Sequence, residues 1–151
     1  MPIAISNDII ELSSENKTEE LANQISKKLN KGDIVFLYGE MGVGKTTFIK
    51  YLINSIQKKN KLSLTEVTSP TFNLLNEYQI NKIKINHYDL FRLKIVEELK
   101  NLDLFSDSSN AITLIEWPQI IQEKPKNLIE LIFEYHEDHQ KRFVKVKGIN
   151  V

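Results

Sequence analysis

The sequence predicts a three-layer α/β domain on a mixed parallel and antiparallel sheet, with residues 1–151 forming a single unit. Three observations carry that prediction. Two short, largely apolar runs, Ile34-Val35-Phe36-Leu37-Tyr38 and Ala111-Ile112-Thr113-Leu114-Ile115, read as strands buried on both faces. Segments with helical apolar spacing flank the first run. Residues 128–135 and 142–147 read as an antiparallel pair that closes the sheet.

Taken in order, residues 3–5 are expected to form a short edge strand. A helix is expected to start near Asn16, with Glu19 three residues on as its capping-box partner. Leu21, Ile25 and Leu29 give it an apolar stripe. Gly32-Asp33 then turns the chain into the first buried strand. A second helix from Lys45 carries Phe48, Ile49, Leu52, Ile53 and Ile56 inward. Ser69-Pro70-Thr71 opens the next stretch, in which residues 74–80 and 83–90 form a hairpin about Asn81-Lys82. Ile83, Ile85 and His87 alternate with polar positions, as on a half-buried sheet. A short helix is expected over 96–104. The run 111–115 ends at Glu116, and Pro118 stops the strand.

Composition narrows the classes of function. Apolar residues make up 41% and charged residues 26%, the usage of an ordinary globular protein. Lys plus Arg equals Asp plus Glu at 20 each, so no long-range field draws the surface to nucleic acid or anionic lipid. There is no cysteine, which excludes disulfides, zinc-thiolate sites and thiol nucleophiles. No run approaches the roughly 18 apolar residues of a membrane span. The first residues lack the basic start and apolar stretch of a signal peptide, and a cytoplasmic protein is expected.

Between the first buried strand and the helix after it stands Gly39-Glu40-Met41-Gly42-Val43-Gly44-Lys45-Thr46, followed by Thr47. This is the pattern of a phosphate-binding loop in the context that loop requires. Glycines let backbone N–H groups turn inward and ring phosphate oxygens that a side chain would keep away. The positive end of the following helix adds to the attraction. Lys45 is placed to reach the β- and γ-phosphates, and the Thr46 hydroxyl to ligate Mg²⁺. The fold expectation sharpens to a P-loop NTPase domain.

Absences then select among such proteins. Glycine occurs only at 32, 39, 42, 44 and 148, so neither a D-x-x-G switch nor an ABC-type glycine-rich signature exists. No N-K-x-D motif is present to read guanine, which leaves ATP as the expected nucleotide. A small-molecule kinase usually clamps phosphorylated substrates with several arginines. Here only Arg92 and Arg142 are available, and neither is an obvious arginine finger. A kinase and a non-hydrolysing nucleotide sensor both stay open as alternatives to an ATPase.

Mg²⁺ needs a carboxylate near the loop, directly or through water. Glu116 ends the apolar run in the manner of a Walker B strand, and Asp89 ends the strand before it; either is also readable as a solvated strand-end acid. Thr71, after Ser69-Pro70, is a candidate switch-like contact to the γ-phosphate or simply part of a turn. His87 is expected to be a packed strand residue, Trp117 a core or cleft-wall aromatic, and Lys58, Lys59 and Lys61 a solvated helix end.

Together these segments resemble the TsaE family, the bacterial ATPases of tRNA threonylcarbamoyladenosine synthesis. Four stretches match in order: Gly39 to Thr46 with Thr47-Phe48, Ser69-Pro70-Thr71-Phe72, His87-Tyr88-Asp89-Leu90-Phe91-Arg92, and Ile115-Glu116-Trp117-Pro118. The resemblance implies that the loop backbone with Lys45 binds ATP phosphates and that Thr46 with Glu116 holds Mg²⁺. It implies that Asp89 serves the hydrolytic step or an outer-shell metal contact, that Thr71 lies near the γ-phosphate, and that Thr18 lies near the base. It further implies a protein that does not itself modify tRNA but acts with the TsaB–TsaD complex, which transfers threonylcarbamoyl to the adenosine at position 37. Weak activity alone, a monomer in isolation and contact with tRNA only through that complex are expected. The sequence departs from the family at Phe91, where Tyr is usual, at Ala22, where Gly is common, and at Asp103, where Gly is frequent.

Overall fold

The computed structural model describes residues 8–136 and 141–149. Its seven strands form one mixed sheet in the order β1-β7-β6-β2-β5-β4-β3. The strand expected at residues 3–5 lies outside the described residues; β1 runs over Asp8–Glu11 and pairs antiparallel with β7, Arg142–Lys147. β2, Ile34–Tyr38, sits at the centre between β5, Ala111–Glu116, and β6, Leu128–Tyr135, parallel to both. β4, Ile83–Asp89, runs parallel to β5, and β3, Leu75–Ile80, is its hairpin partner. Asn81 makes the turn at φ 54°, a left-handed conformation that asparagine tolerates better than most residues. β6 and β7 are antiparallel, as the sequence predicts.

One face of the sheet is covered by α1, Glu15–Ser26, and α2, Lys45–Lys59. Leu21, Ala22 and Ile25 from α1 and Phe48, Ile49, Leu52 and Ile53 from α2 pack with Val35, Leu37, Ile85 and Leu114 in a continuous core. The opposite layer is thinner. Among the described residues its α-helix is the five-residue α3, Val96–Lys100, and Leu99, Leu102, Leu104 and Phe105 lie over Phe36, Tyr88 and Ile115. That helix ends short of the expected residue 104, because Asp103 turns the chain at φ 51°. Such a left-handed backbone is one that glycine adopts without steric penalty and that Asp and Asn tolerate better than most other side chains.

Two further expectations are corrected. The cap of α1 is Ser14, whose side chain accepts from the Lys17 N–H at 3.4 Å, so the helix begins one residue before Asn16. β4 is not half-buried: Asn86, His87, Tyr88 and Asp89 are all buried. Apolar layers lie on both of its faces, and an interior strand flanked on both sides offers no solvent face.

Candidate functional site

The loops that follow β2, β4 and β5 emerge together at the carboxyl ends of these parallel strands, the usual position of a ligand crevice in an open α/β sheet. A cleft of about 500 Å³ opens there, lined by Met41, Gly42, Gly44, Lys45, Thr46 and Thr47 from the loop and the start of α2. Ser69, Thr71, Asp89, Phe91, Glu116, Trp117, Glu15 and Arg142 complete its wall.

Local sequence explains how the loop is held. Gly39 has φ 146°, and a Cβ there would stand 2.8 Å from the Phe133 carbonyl oxygen and from Val43 Cγ1, so only glycine fits. The Val43 side chain is buried in the core and pins the loop from beneath. Tyr135 donates its hydroxyl to the Gly42 carbonyl at 2.8 Å and fixes the apex from the side. Gly44 then caps α2 in a left-handed conformation with φ 117°.

The β4–β5 register sets Asp89 directly opposite Glu116, and alternation puts His87 on the same face. Glu116 is 2% exposed and accepts from the Thr46 hydroxyl at 3.1 and 3.2 Å. His87 Nε2 lies 2.7 Å from Glu116 Oε2, with the ring wholly buried. Among the described residues His87 Nδ1 has no hydrogen-bond partner, which fits a neutral ring carrying its proton on Nε2 and leaves no buried N–H unsatisfied. Asp89 Oδ1 accepts from the Phe91 N–H at 2.9 Å, and Oδ2 accepts from Ser69 Oγ at 3.0 Å and Thr71 Oγ1 at 3.4 Å. The Ser69-Pro70-Thr71 turn is thereby tied to the end of β4.

Lys45 is buried, donates to the Gly39 carbonyl, and sets its ammonium 3.6 Å from the centroid of the Trp117 ring. Burial pulls its pKa below the ordinary lysine value, while the Glu116 and Asp89 carboxylates push it back up. Trp117 holds a left-handed backbone at φ 57°, unusual for a bulky residue, and its ring meets Phe91 at 4.8 Å. It forms a cleft wall.

The structure thus brings Met41, Gly42, Gly44, Lys45, Thr46, Thr47, Thr71, Asp89 and Glu116 to one cleft. Gly39 contributes through its carbonyl. The Val43 side chain points into the core, and Glu40 is exposed outside the cleft lining. Thr18 lies on a second, adjoining cleft of about 220 Å³, with Ser13, Ser14 and Thr47. Two residues gain roles that their sequence context did not give them. His87 contacts Glu116 rather than only packing, and the signal available was its place two residues before Asp89 on one strand face. Arg142 reaches the cleft from β7, two strands from β2 in the sheet, and only the three-dimensional pairing of β7 reveals it.

Among the described residues, no group of three or more His, Asp or Glu side chains is set to cage an ion alone. Thr46 and Glu116 fit Mg²⁺ in the other way open to that ion, through one hydroxyl and one carboxylate completed by water and ligand phosphate oxygens. No helix among the described residues is long and apolar enough to cross a membrane.

Similarity to known proteins extends over most of the chain. The family model described as threonylcarbamoyl adenosine biosynthesis protein TsaE matches residues 12–144. The protein named tRNA threonylcarbamoyladenosine biosynthesis protein TsaE from Rickettsia conorii is 40% identical over 111 residues, 74% of this chain and 61% of that protein's length. Its namesake from Rickettsia bellii is 39% identical over 131 residues, covering 86% and 88%. The crystal structure of YdiB from Bacillus subtilis superposes with a TM-score of 0.70 at 19% identity, over 99% of this chain and 88% of that one, and supports the fold.

Proposed function

The chain belongs to the TsaE family of threonylcarbamoyl adenosine biosynthesis proteins, and we propose from that premise that it is a Mg²⁺-dependent ATPase of the tRNA-modification machinery. It works in the cytoplasm with a TsaB–TsaD complex, and it reaches tRNA only through that complex. The observation that carries the reading is the contact of Thr46 with Glu116 beside Lys45, on the cleft that also holds Asp89 and Thr71.

Backbone amides from Gly42 to Thr47 and the start of α2 receive the phosphates. Lys45 exchanges the Gly39 carbonyl for β- and γ-phosphate oxygens, where its charge counters the charge that develops during transfer. Thr46 and Glu116 would hold Mg²⁺, which when bound would neutralise charge on the phosphate oxygens. His87 keeps the Glu116 carboxylate turned toward Thr46. Thr71 would lie toward the γ-phosphate, and Asp89 would orient the attacking water or help to hold the metal through water. Asp89 Oδ1 is committed to the Phe91 N–H and Oδ2 to the Ser69–Thr71 turn. Both oxygens are therefore engaged in the free protein, in keeping with weak turnover alone and stimulation when a partner reorders that turn.

The test is ATP hydrolysis by the purified protein, alone and with TsaB–TsaD and tRNA, with Lys45→Ala as the blank. Feeble turnover that rises with the partners and vanishes in the variant supports the reading. Tight ATP binding without turnover in any mixture replaces it with a nucleotide sensor. Phosphate transfer to a metabolite replaces it with a kinase.

A further inference from the structure

The ammonium of Lys45 rests on an aromatic ring rather than on a carboxylate. Glu116 and Asp89 line the same cleft, yet among the described residues neither forms an ion pair with it. Its neighbours are the Gly39 carbonyl, to which it donates, and the face of Trp117, whose centroid is 3.6 Å away. The ring is held in place from several directions. The Trp117 N–H donates to the Leu37 carbonyl at 3.3 Å, the next residue, Pro118, is buried, and Phe91 meets the ring at 4.8 Å. The Trp117 backbone is left-handed at φ 57°, a conformation that costs a bulky residue free energy. Strain of this kind, retained where it sets a ring face over a buried cation, marks Trp117 as more than a wall.

We propose that Trp117 is a positioning residue that holds Lys45 between turnovers, and that its ring gives up the cation each time nucleotide phosphates bind. The inference rests on the nucleotide reading above, in which Lys45 leaves its resting contacts for phosphate oxygens. A contact made only in the free protein opposes binding by its own free energy, because the ligand has to replace it. Indole is the strongest aromatic face for a cation, yet its hold is modest beside a charge-assisted bond to phosphate. The ring therefore covers the buried ammonium without tying it to Glu116, whose oxygens already serve Thr46 and His87. When ADP departs, the return of Lys45 to the ring offsets part of the lost phosphate contact and favours product release.

Calorimetric titration of ATP and ADP into the wild type, Trp117→Phe and Trp117→Leu, each first checked for a wild-type circular dichroism spectrum, tests the assignment. Leucine keeps an apolar wall without a π face, so Trp117→Leu is expected to bind both nucleotides about two- to thirtyfold more tightly. Trp117→Phe, with a weaker face than indole, is expected to fall between, and it carries the test if the leucine variant does not fold. Weaker binding by the variants would make Trp117 a nucleotide contact, and unchanged binding would leave the ring without a hold on Lys45; either result overturns the proposal. Trp117 is the sole tryptophan, so its emission without nucleotide reports the resting contact directly. Lys45→Met is expected to shift that emission, and superposable spectra would overturn the proposal as well. A wild type that binds neither nucleotide would sink the nucleotide reading itself, and this inference with it.

Discussion

Replacing His87 tests whether a wholly buried imidazole does more than fill space. His87→Ala deletes the ring and takes a donor 2.7 Å away from a carboxylate that is 2% exposed. Truncating a larger aromatic to alanine costs about 3–5 kcal/mol, so the smaller imidazole accounts for roughly 2–4 kcal/mol. Loss of a hydrogen bond to a charged partner adds about 1.5–3 kcal/mol, and part of it overlaps with the first figure. A total near 4 kcal/mol, set against a domain stability of about 5–15 kcal/mol, leaves a folded but weakened protein. Glutamine carries its amide nitrogen to nearly the same distance from the backbone as Nε2, so His87→Gln keeps the donor and is expected to cost only about 1–2 kcal/mol. Urea unfolding measures these values. Mg²⁺ titration of ATP affinity, at a temperature where all three proteins are folded, measures the function. His87→Ala is expected to need at least about tenfold more Mg²⁺, as loss of a ligand's orienting partner typically requires, while His87→Gln stays near wild type. If both variants shift the Mg²⁺ requirement equally, or neither does, then His87 does not orient Glu116 and the reasoning fails.

Three further outcomes are expected. Gly39→Ala, with its new methyl 2.8 Å from a strand carbonyl that cannot retreat, should lower stability by about 2–4 kcal/mol; a wild-type urea midpoint would contradict the close approach. Asp89→Asn keeps an acceptor for the Phe91 N–H but loses the charge that draws in Ser69 and Thr71, so turnover should drop about a hundredfold at saturating ATP, and undiminished hydrolysis would remove Asp89 from the reaction. Burial, then the hydrogen bond to Glu130, holds the Tyr38 pKa well above its ordinary value of 10.0. The native state keeps this proton where the unfolded chain releases it, so the contribution is complete below pH 10.0 and is lost as pH rises through the native value. Tyr38→Phe should flatten the loss of stability above that pH in urea unfolding, and an unchanged slope would show that Tyr38 ionises normally.

The helices and interior strands were legible because their apolar spacing is a local property. The run at 34–38 and the stripe Phe48, Ile49, Leu52, Ile53 need no knowledge of neighbours to be read as buried. The phosphate-binding loop was legible for a similar reason, since backbone geometry demands glycine at Gly39 and Gly44 wherever such a loop occurs. What escaped depends on partners far along the chain. β4 alternates like a half-buried strand, yet Tyr88 is covered by the segment from Leu99 to Phe105, whose helix is too short to announce a layer. The bond from His87 to Glu116 spans 29 positions, and Arg142 stands almost a hundred residues from the loop it touches. Ser14 caps α1 from an extended backbone, while Asn16, whose side chain suits a cap equally, already lies within the helix.

The pairing of Asp89 with Glu116 across β4 and β5 also bears on how the chain reaches its fold. Side chains alternate between the faces of a strand, so a slip of β4 by one residue would turn His87 and Asp89 toward Phe36 and Ile115. It would strand a carboxylate among apolar side chains and strip Glu116 of its imidazole partner, each at a penalty of several kcal/mol. Neighbouring registers of the central sheet are thereby destabilised by the very groups that line the cleft. A chain that has mispaired these strands is driven to unzip and try again, so residues at the cleft also help to select the register in folding.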